Sequence, residues 1–320
     1  HPHDEGIVNQ VAEHPDEFQL LGGYDPDEKA ATERVERWGK KLEGFRRYSM
    51  PEALLSEELD GVIVEGAAEN ILGWGRMALD AGFPVMLEKP AGINLEEHRA
   101  LIDLARRKHL HVQMIYLFRY MSAVVEMLRL AREGELGHIY QFRGRLPKDF
   151  KLYDHHREEY ARYAGGIYFE MAGHIIDMMV TMLGEPTGVT PFLAHHHESE
   201  GDFIDNGLAV FQYPQAWGIV EVSTLEPLEG SRRFEVYGTK GACAIPHLGS
   251  GHLANTTTQP LEVQLEGYDD WRRLDLPAAT LQLPDLREFA ACVMDKKQPH
   301  YSLEHDLIVQ EALLRSSGAI

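Results

Sequence analysis

The sequence predicts two domains of different class. The first is α/β, a parallel sheet with helices on both faces. The second is α+β, built on a large, mostly antiparallel open sheet. Three observations predict this. The chain has 320 residues, more than one ordinary core holds. Up to about Tyr120, short apolar runs alternate with amphipathic stretches at the spacing of βαβ units. Beyond Gly137, alternating runs follow one another and several are joined by tight turns. The boundary falls at 118/119, giving domains 1–118 and 119–320.

Taken in order, residues 1–17 read as a helix with Ile7, Val8 and Val11 on one face. Residues 18–24 read as a strand, Asp25-Pro26-Asp27 as its turn, and 27–42 as a charged helix. A short helix over 51–58 precedes a buried strand at 61–64. The pattern at 70–81 is helical and stops at Gly82, where glycine is expected after a helix. A third strand, 85–87, is ended by Pro90, and a helix over 95–107 starts near Asn94. The fourth strand is 111–116. A single amphipathic helix over 121–134 opens the second domain. Its candidate strands are 138–145, 189–195, 207–213, 217–225, 232–237, 241–245 and 261–266. Helices over about 284–296 and 303–316 close the chain.

Composition narrows the function classes. Hydrophobic residues make up 44% and charged residues 26%, a normal globular balance. The formal net charge of −20 argues against unaided binding to nucleic acid or anionic lipid. No apolar run reaches 18 residues and no export signal is present, so neither a membrane nor secretion is expected. Cys243 and Cys292 make no disulfide framework and suit a reducing cytoplasm.

Two stretches carry chemistry. Glu88-Lys89-Pro90 puts a lysine at the carboxyl end of a parallel strand, where open α/β sheets place their ligands. A surface ion pair between Glu88 and Lys89 is the alternative. In the second stretch, Gly165-Gly166 marks a helix entry, and Glu170, His174 and Asp177 follow at i, i+4 and i+7, on one helix face. A histidine with a carboxylate one turn away can be held in one tautomer as a base near neutral pH. A satisfied core histidine is the alternative. The run His195-His196-His197 is too short and loop-like to predict a metal site, so none is expected.

Together these stretches resemble the glucose–fructose oxidoreductase / inositol dehydrogenase (Gfo/Idh/MocA) family, over nearly the whole chain and in family order. The resemblance rests on Tyr24-Asp25-Pro26-Asp27, Ala78–Gly82 with Glu88-Lys89-Pro90, Gly165–Asp177, and the Tyr237–Gly241 hairpin. It implies a Rossmann domain binding NAD or NADP, and a second domain whose sheet forms dimer or tetramer contacts. It also implies hydride transfer at a carbinol carbon of a sugar, cyclitol or related polyol. Lys89 then contacts the reacting hydroxyl, His174 accepts its proton, and Glu170 stands where the family has Asp. Asp25, Gly66, Asn70, Glu88, Lys89 and Pro90 become candidate cofactor contacts. Asp25 would accept hydrogen bonds from ribose hydroxyls and repel a 2′-phosphate, which favours NAD(H) over NADP(H). Substrate candidates are Arg119 and Asp177, with Tyr153, His155 and Arg157 in a polar loop over 148–163 that also holds Lys148, Lys151, His156, Arg162 and Tyr163.

The sequence also departs from the family. The first Rossmann strand and its Gly-rich turn are not found, so the sequence is expected to be trimmed at both ends, and a sheet without that strand would have unpaired inner edges. Gly66-Ala67-Ala68 replaces the usual Thr-Pro-Asn-like turn. Two Gly-rich matches, at 73–78 and 249–254, lack the strand-to-helix context of a phosphate loop. Two further functions stay open: an NAD-retaining lyase or glycosidase working through transient oxidation, and a non-catalytic sugar- or nucleotide-sensing relative.

Overall fold

The structure is a computed structural model, which describes residues 4–149, 151, 157–197, 201, 203–226, 232–248, 257–278 and 281–320. The chain divides into two compact units. The first takes the described residues up to Gly92, Glu96–Ile115 and a late segment ending at His300. The second takes Ile93–Leu95, the described residues from Tyr116 through Ala278, and Tyr301–Ile320.

The first unit contains α1 (Asp4–Glu13), β1 (Gly22–Gly23), α2 (Glu28–Trp38), β2 (Arg46–Arg47), α3 (Pro51–Leu54), β3 (Val62–Val64), α4 (Ala68–Ala81), β4 (Val85–Glu88), α5 (Leu95–Lys108) and β5 (Val112–Ile115). Strands β3, β4 and β5 pair in parallel, with Val64 opposite Leu87 and Glu88 opposite Ile115. All four residues of β4 and of β5 are buried, as a parallel strand covered on both faces requires. Strands β1 and β2 form a separate two-stranded parallel sheet. The strand expected over 18–24 is therefore reduced to Gly22–Gly23. Its partner Arg46–Arg47 is charged and exposed, which hid it from hydrophobic patterning. Asp27 caps α2 by accepting the Ala30 N–H, which starts that helix one residue later than expected. Helix α4 ends at Gly82, whose left-handed backbone (φ +99°) lets its N–H reach the carbonyls of Ala78 and Leu79.

A helix from late in the chain, α9 (Leu283–Met294), completes this unit. Phe289 lies against Gly61, where a Cβ would meet its ring at 2.7 Å, and 5.7 Å from the His111 ring. Gln113 Nε2 donates to the Asp285 carbonyl at 2.9 Å, and Arg287 pairs with Glu17.

The second unit contains α6 (Ser122–Arg132), β6 (Ile139–Pro147), α7 (Arg157–Tyr160), α8 (Ile167–Leu183), β7 (Gly188–Ala194), β8 (Asn206–Gln212), β9 (Trp217–Ser223), β10 (Arg233–Gly238), β11 (Gly241–Ile245), β12 (Thr258–Leu265), β13 (Arg272–Pro277) and α10 (Leu303–Ser316). Its eight strands run in the order β13-β12-β11-β10-β6-β9-β8-β7, antiparallel except for the β6–β9 pair. The edge strand β13 escaped the sequence reading because Arg272, Arg273 and Asp275 break its alternation, as charges on an exposed edge do. Helix α8 lies on the central strands, with residues 167–180 all buried. Two glycines make that approach possible. A Cβ at Gly144 would sit 2.1 Å from Ile175, and one at Gly218 would sit 2.1 Å from the Met179 sulfur.

Candidate active site

In the first unit the candidates gather at the carboxyl ends of β3 and β4. Glu88 and Lys89 are buried, at 0% and 2% exposure. The Lys89–Pro90 peptide bond is cis. Glu65 follows β3, whose last residue Val64 pairs with Leu87, and both Glu65 carboxyl oxygens are shielded from solvent. Burial pushes the Glu65 carboxyl well above the usual range. The Glu88 charge adds to this. The sequence reading missed Glu65; its signal was an acid directly after the buried run of β3. Gly66 follows at φ +156°, then Ala67 leads into α4 without a side-chain cap. Asn70 is exposed in the first turn of α4. At the end of β1, one Asp25 oxygen accepts the Asp27 N–H at 2.9 Å and the other meets Arg34, whose Nε pairs with Asp4 at 3.1 Å.

In the second unit the candidates lie along α8. Gly165 and Gly166 enter it at φ +82° and +52°, and a Cβ at Gly166 would sit 2.6 Å from the Ile204 carbonyl oxygen. Glu170, His174 and Asp177 are buried at 5%, 4% and 0% exposure. The His174 ring lies 5.0 Å from Phe118 and, nearly perpendicular, 5.9 Å from Tyr116.

Arg119 and Asp177, both substrate candidates from the sequence, hydrogen-bond to each other. Arg119 Nε and Nη2 donate to Asp177 at 3.0 and 2.6 Å, and Nη2 also meets Asp306 at 2.6 Å. His305 Nε2 lies 2.8 Å from Asp177. The guanidinium stacks 3.9 Å over Tyr301 and 4.8 Å over Tyr116. Burial raises both carboxyls. At Asp177, Arg119 and His305 outweigh it and the net shift is downward; at Asp306, burial wins. Arg119 is held above its ordinary value because its two carboxylates outweigh burial. Asp177, His305 and Asp306 are close enough together to surround a cation, but the Arg119 guanidinium already bonds both carboxylates.

Other expected positions divide. Tyr153, His155 and His156 lie outside the described residues. Arg157 begins α7 and is half-buried, and Lys148 is buried after β6. In the triple histidine, the backbone N–H groups of His196 and His197 donate to the buried Asp205 carboxylate, and the His195 ring contacts it at 2.9 Å. A cavity of about 400 Å³ beside Met182 and Tyr213 opens at the far end of α8, roughly 12 Å along the helix from His174.

Two family models match this chain: the Gfo/Idh/MocA oxidoreductase model with its NAD-binding Rossmann fold over residues 5–116, and the Gfo/Idh/MocA C-terminal domain over 124–244. The chain belongs to the Gfo/Idh/MocA oxidoreductase family. It is 25% identical over 195 residues to the uncharacterised oxidoreductase YdgJ of Escherichia coli K12. That match covers 61% of this chain and 56% of YdgJ. It is 26% identical over 278 residues to scyllo-inositol 2-dehydrogenase (NAD(+)) of Bacillus subtilis, covering 83% of this chain and 77% of that enzyme. Levoglucosan dehydrogenase, solved with NADH and levoglucosan, shares the fold at a TM-score of 0.79 and 17% identity, over 99% of this chain and 94% of that one. Among the described residues, no helix is long and apolar enough to cross a membrane.

Proposed function

We propose that this chain is an NAD(H)-dependent oxidoreductase that moves a hydride to or from a secondary alcohol carbon of a sugar, cyclitol or related polyol. One observation carries the reading: a buried lysine, Lys89, directly follows β4 in the unit that matches the NAD-binding model. The relatives that act on inositol and levoglucosan support the substrate class. The residues present fit the cofactor. Helix α4 starts at the carboxyl end of β3 with no side-chain cap on its first N–H groups, an arrangement suited to a phosphate. Asp25, Gly66, Asn70, Glu88, Lys89 and Pro90 would hold it.

Bound NAD supplies the hydride acceptor or donor. The Lys89 ammonium stabilises the charge that develops on the alcohol oxygen. His174 takes the hydroxyl proton, its ring held by Phe118 and Tyr116. Glu170, one turn earlier on α8, accepts a hydrogen bond from a neighbouring hydroxyl. Lys148, Tyr153, His155 and Arg157 supply further polar contacts to substrate. Asp177 and Arg119 act through α8 by fixing its position. The protein works in the cytoplasm as a homo-oligomer built through the open sheet.

The test is a polyol panel with NAD⁺, read as NADH formed. Net NADH from at least one cyclitol or sugar is expected. Turnover of a substrate without net NADH would replace hydride transfer with an NAD-retaining reaction.

A further inference from the structure

We infer that Tyr301 and Arg119 are positioning residues for His174: they hold the Tyr116 ring, and that ring sets the angle of the imidazole. The inference rests on the proposed role of His174 as base. It adds Tyr301, which that reading does not use, and a route from Arg119 to the base that bypasses the α8 backbone.

A histidine on a helix has few choices at χ1 but a broad χ2, so its neighbours decide where the ring nitrogens point. Two rings neighbour His174. Phe118 lies at 5.0 Å with its plane tilted by 41°, and Tyr116 at 5.9 Å with its plane at 83°. Phe118 is tied to the sheet through Phe234 on β10, 5.8 Å away. Tyr116 is tied elsewhere. It is buried and lies against α8, where a Cβ at Gly173 would sit 3.4 Å from its ring. The Arg119 guanidinium stands 4.8 Å from the centre of the Tyr116 ring and 3.9 Å from that of Tyr301. A desolvated guanidinium is attracted to aromatic faces and stacks on them. Asp177 takes its Nε and Nη2, and Asp306 takes Nη2 as well, which fixes the plane of the group. All these residues belong to the second unit. Contacts therefore run unbroken from Tyr301, just before α10, to the base. Without the Tyr301 ring, the guanidinium and Tyr116 gain room to shift, and His174 turns with them. A displacement of ~1 Å can cost about 10² in rate.

The test compares Tyr301→Met, which keeps an apolar side chain without the ring, with Tyr301→Phe, which keeps the ring. On the best polyol of the panel, Tyr301→Met should lower kcat about tenfold with KM unchanged, and Tyr301→Phe should restore kcat. The second readout needs neither cofactor nor activity. NMR of isotope-labelled histidine, with His174→Gln to identify the signal, should show the His174 resonance displaced by its two aromatic neighbours. Tyr301→Met should move that resonance and Tyr301→Phe should leave it in place. A purely structural contact would lower the melting temperature of Tyr301→Met while leaving the resonance and kcat at native values, and that result overturns the inference. If Tyr301→Met does not fold, the native spectrum decides: a His174 resonance without the aromatic displacement overturns the inference. In either case an active native chain leaves the proposed function standing. A native chain inactive on the whole panel overturns the proposed function, and the positioning role falls with it.

Discussion

Lys89→Ala removes the only charge that this reading assigns to the alcohol oxygen. It should lower kcat/KM by about 10² or more, measured against the best polyol of the panel. Asp25 gives a second test. Its carboxylate should favour NAD(H), yet Arg34 sits on one of its oxygens and could receive a 2′-phosphate. Asp25→Ala removes one of that guanidinium's two carboxylate partners, so the ratio of KM for NADP⁺ to KM for NAD⁺ should fall. An unchanged ratio would show that Asp25 does not choose the cofactor. Glu65 also links stability to pH. Its folded pKa is raised, so its contribution is complete below the ordinary value of about 4.3 and is lost as pH rises through the folded value. Glu65→Gln should therefore gain stability relative to the native chain as pH increases, read from urea midpoints across the pH range.

Helix α8 carries its candidates on one face because the helical period puts i, i+4 and i+7 together, so this much was legible from spacing alone. What each residue meets was not. Arg119 is 58 positions from Asp177, and Asp306 is 187 from Arg119, separations that no local pattern encodes. The same cluster ties α8 to α10. Asp177→Asn strips a carboxylate from a buried guanidinium and should cost about 3–5 kcal/mol of unfolding free energy. The folded pKa of Asp177 is lowered, so its contribution is present above the ordinary value of about 3.9 and is lost as pH falls through the folded value. The gap between native and Asp177→Asn denaturation midpoints should then be full at neutral pH and close in acid. A gap that persists unchanged in acid would mean the carboxylate charge is not what holds the helices.

At the scale of the whole chain, the two domain classes were legible because period-2 and period-3.6 patterns separate cleanly in this sequence. The edges were not: β2 and β13 are strands whose charged residues break the apolar pattern. The eight-stranded sheet buries one face under α6 and α8. The other carries Phe192, Leu208, Val210, Trp217, Ile219 and Tyr237, with Arg143 and Arg145 paired to Glu221. Phe192 is 60% exposed and Trp217 64%, an apolar density suited to a second copy of the chain. Ile219→Arg should reduce the mass found by light scattering to that of a monomer with the fold intact by circular dichroism; a monomeric native chain would remove the proposal. The return of α9 to the first unit has a consequence in time. A ribosome releases Ile115 long before Met294, and at ordinary elongation rates the interval is about 10–40 s. Throughout it the surface around Gly61 and His111 waits for Phe289, so the first unit cannot finish its packing while the second is still being made.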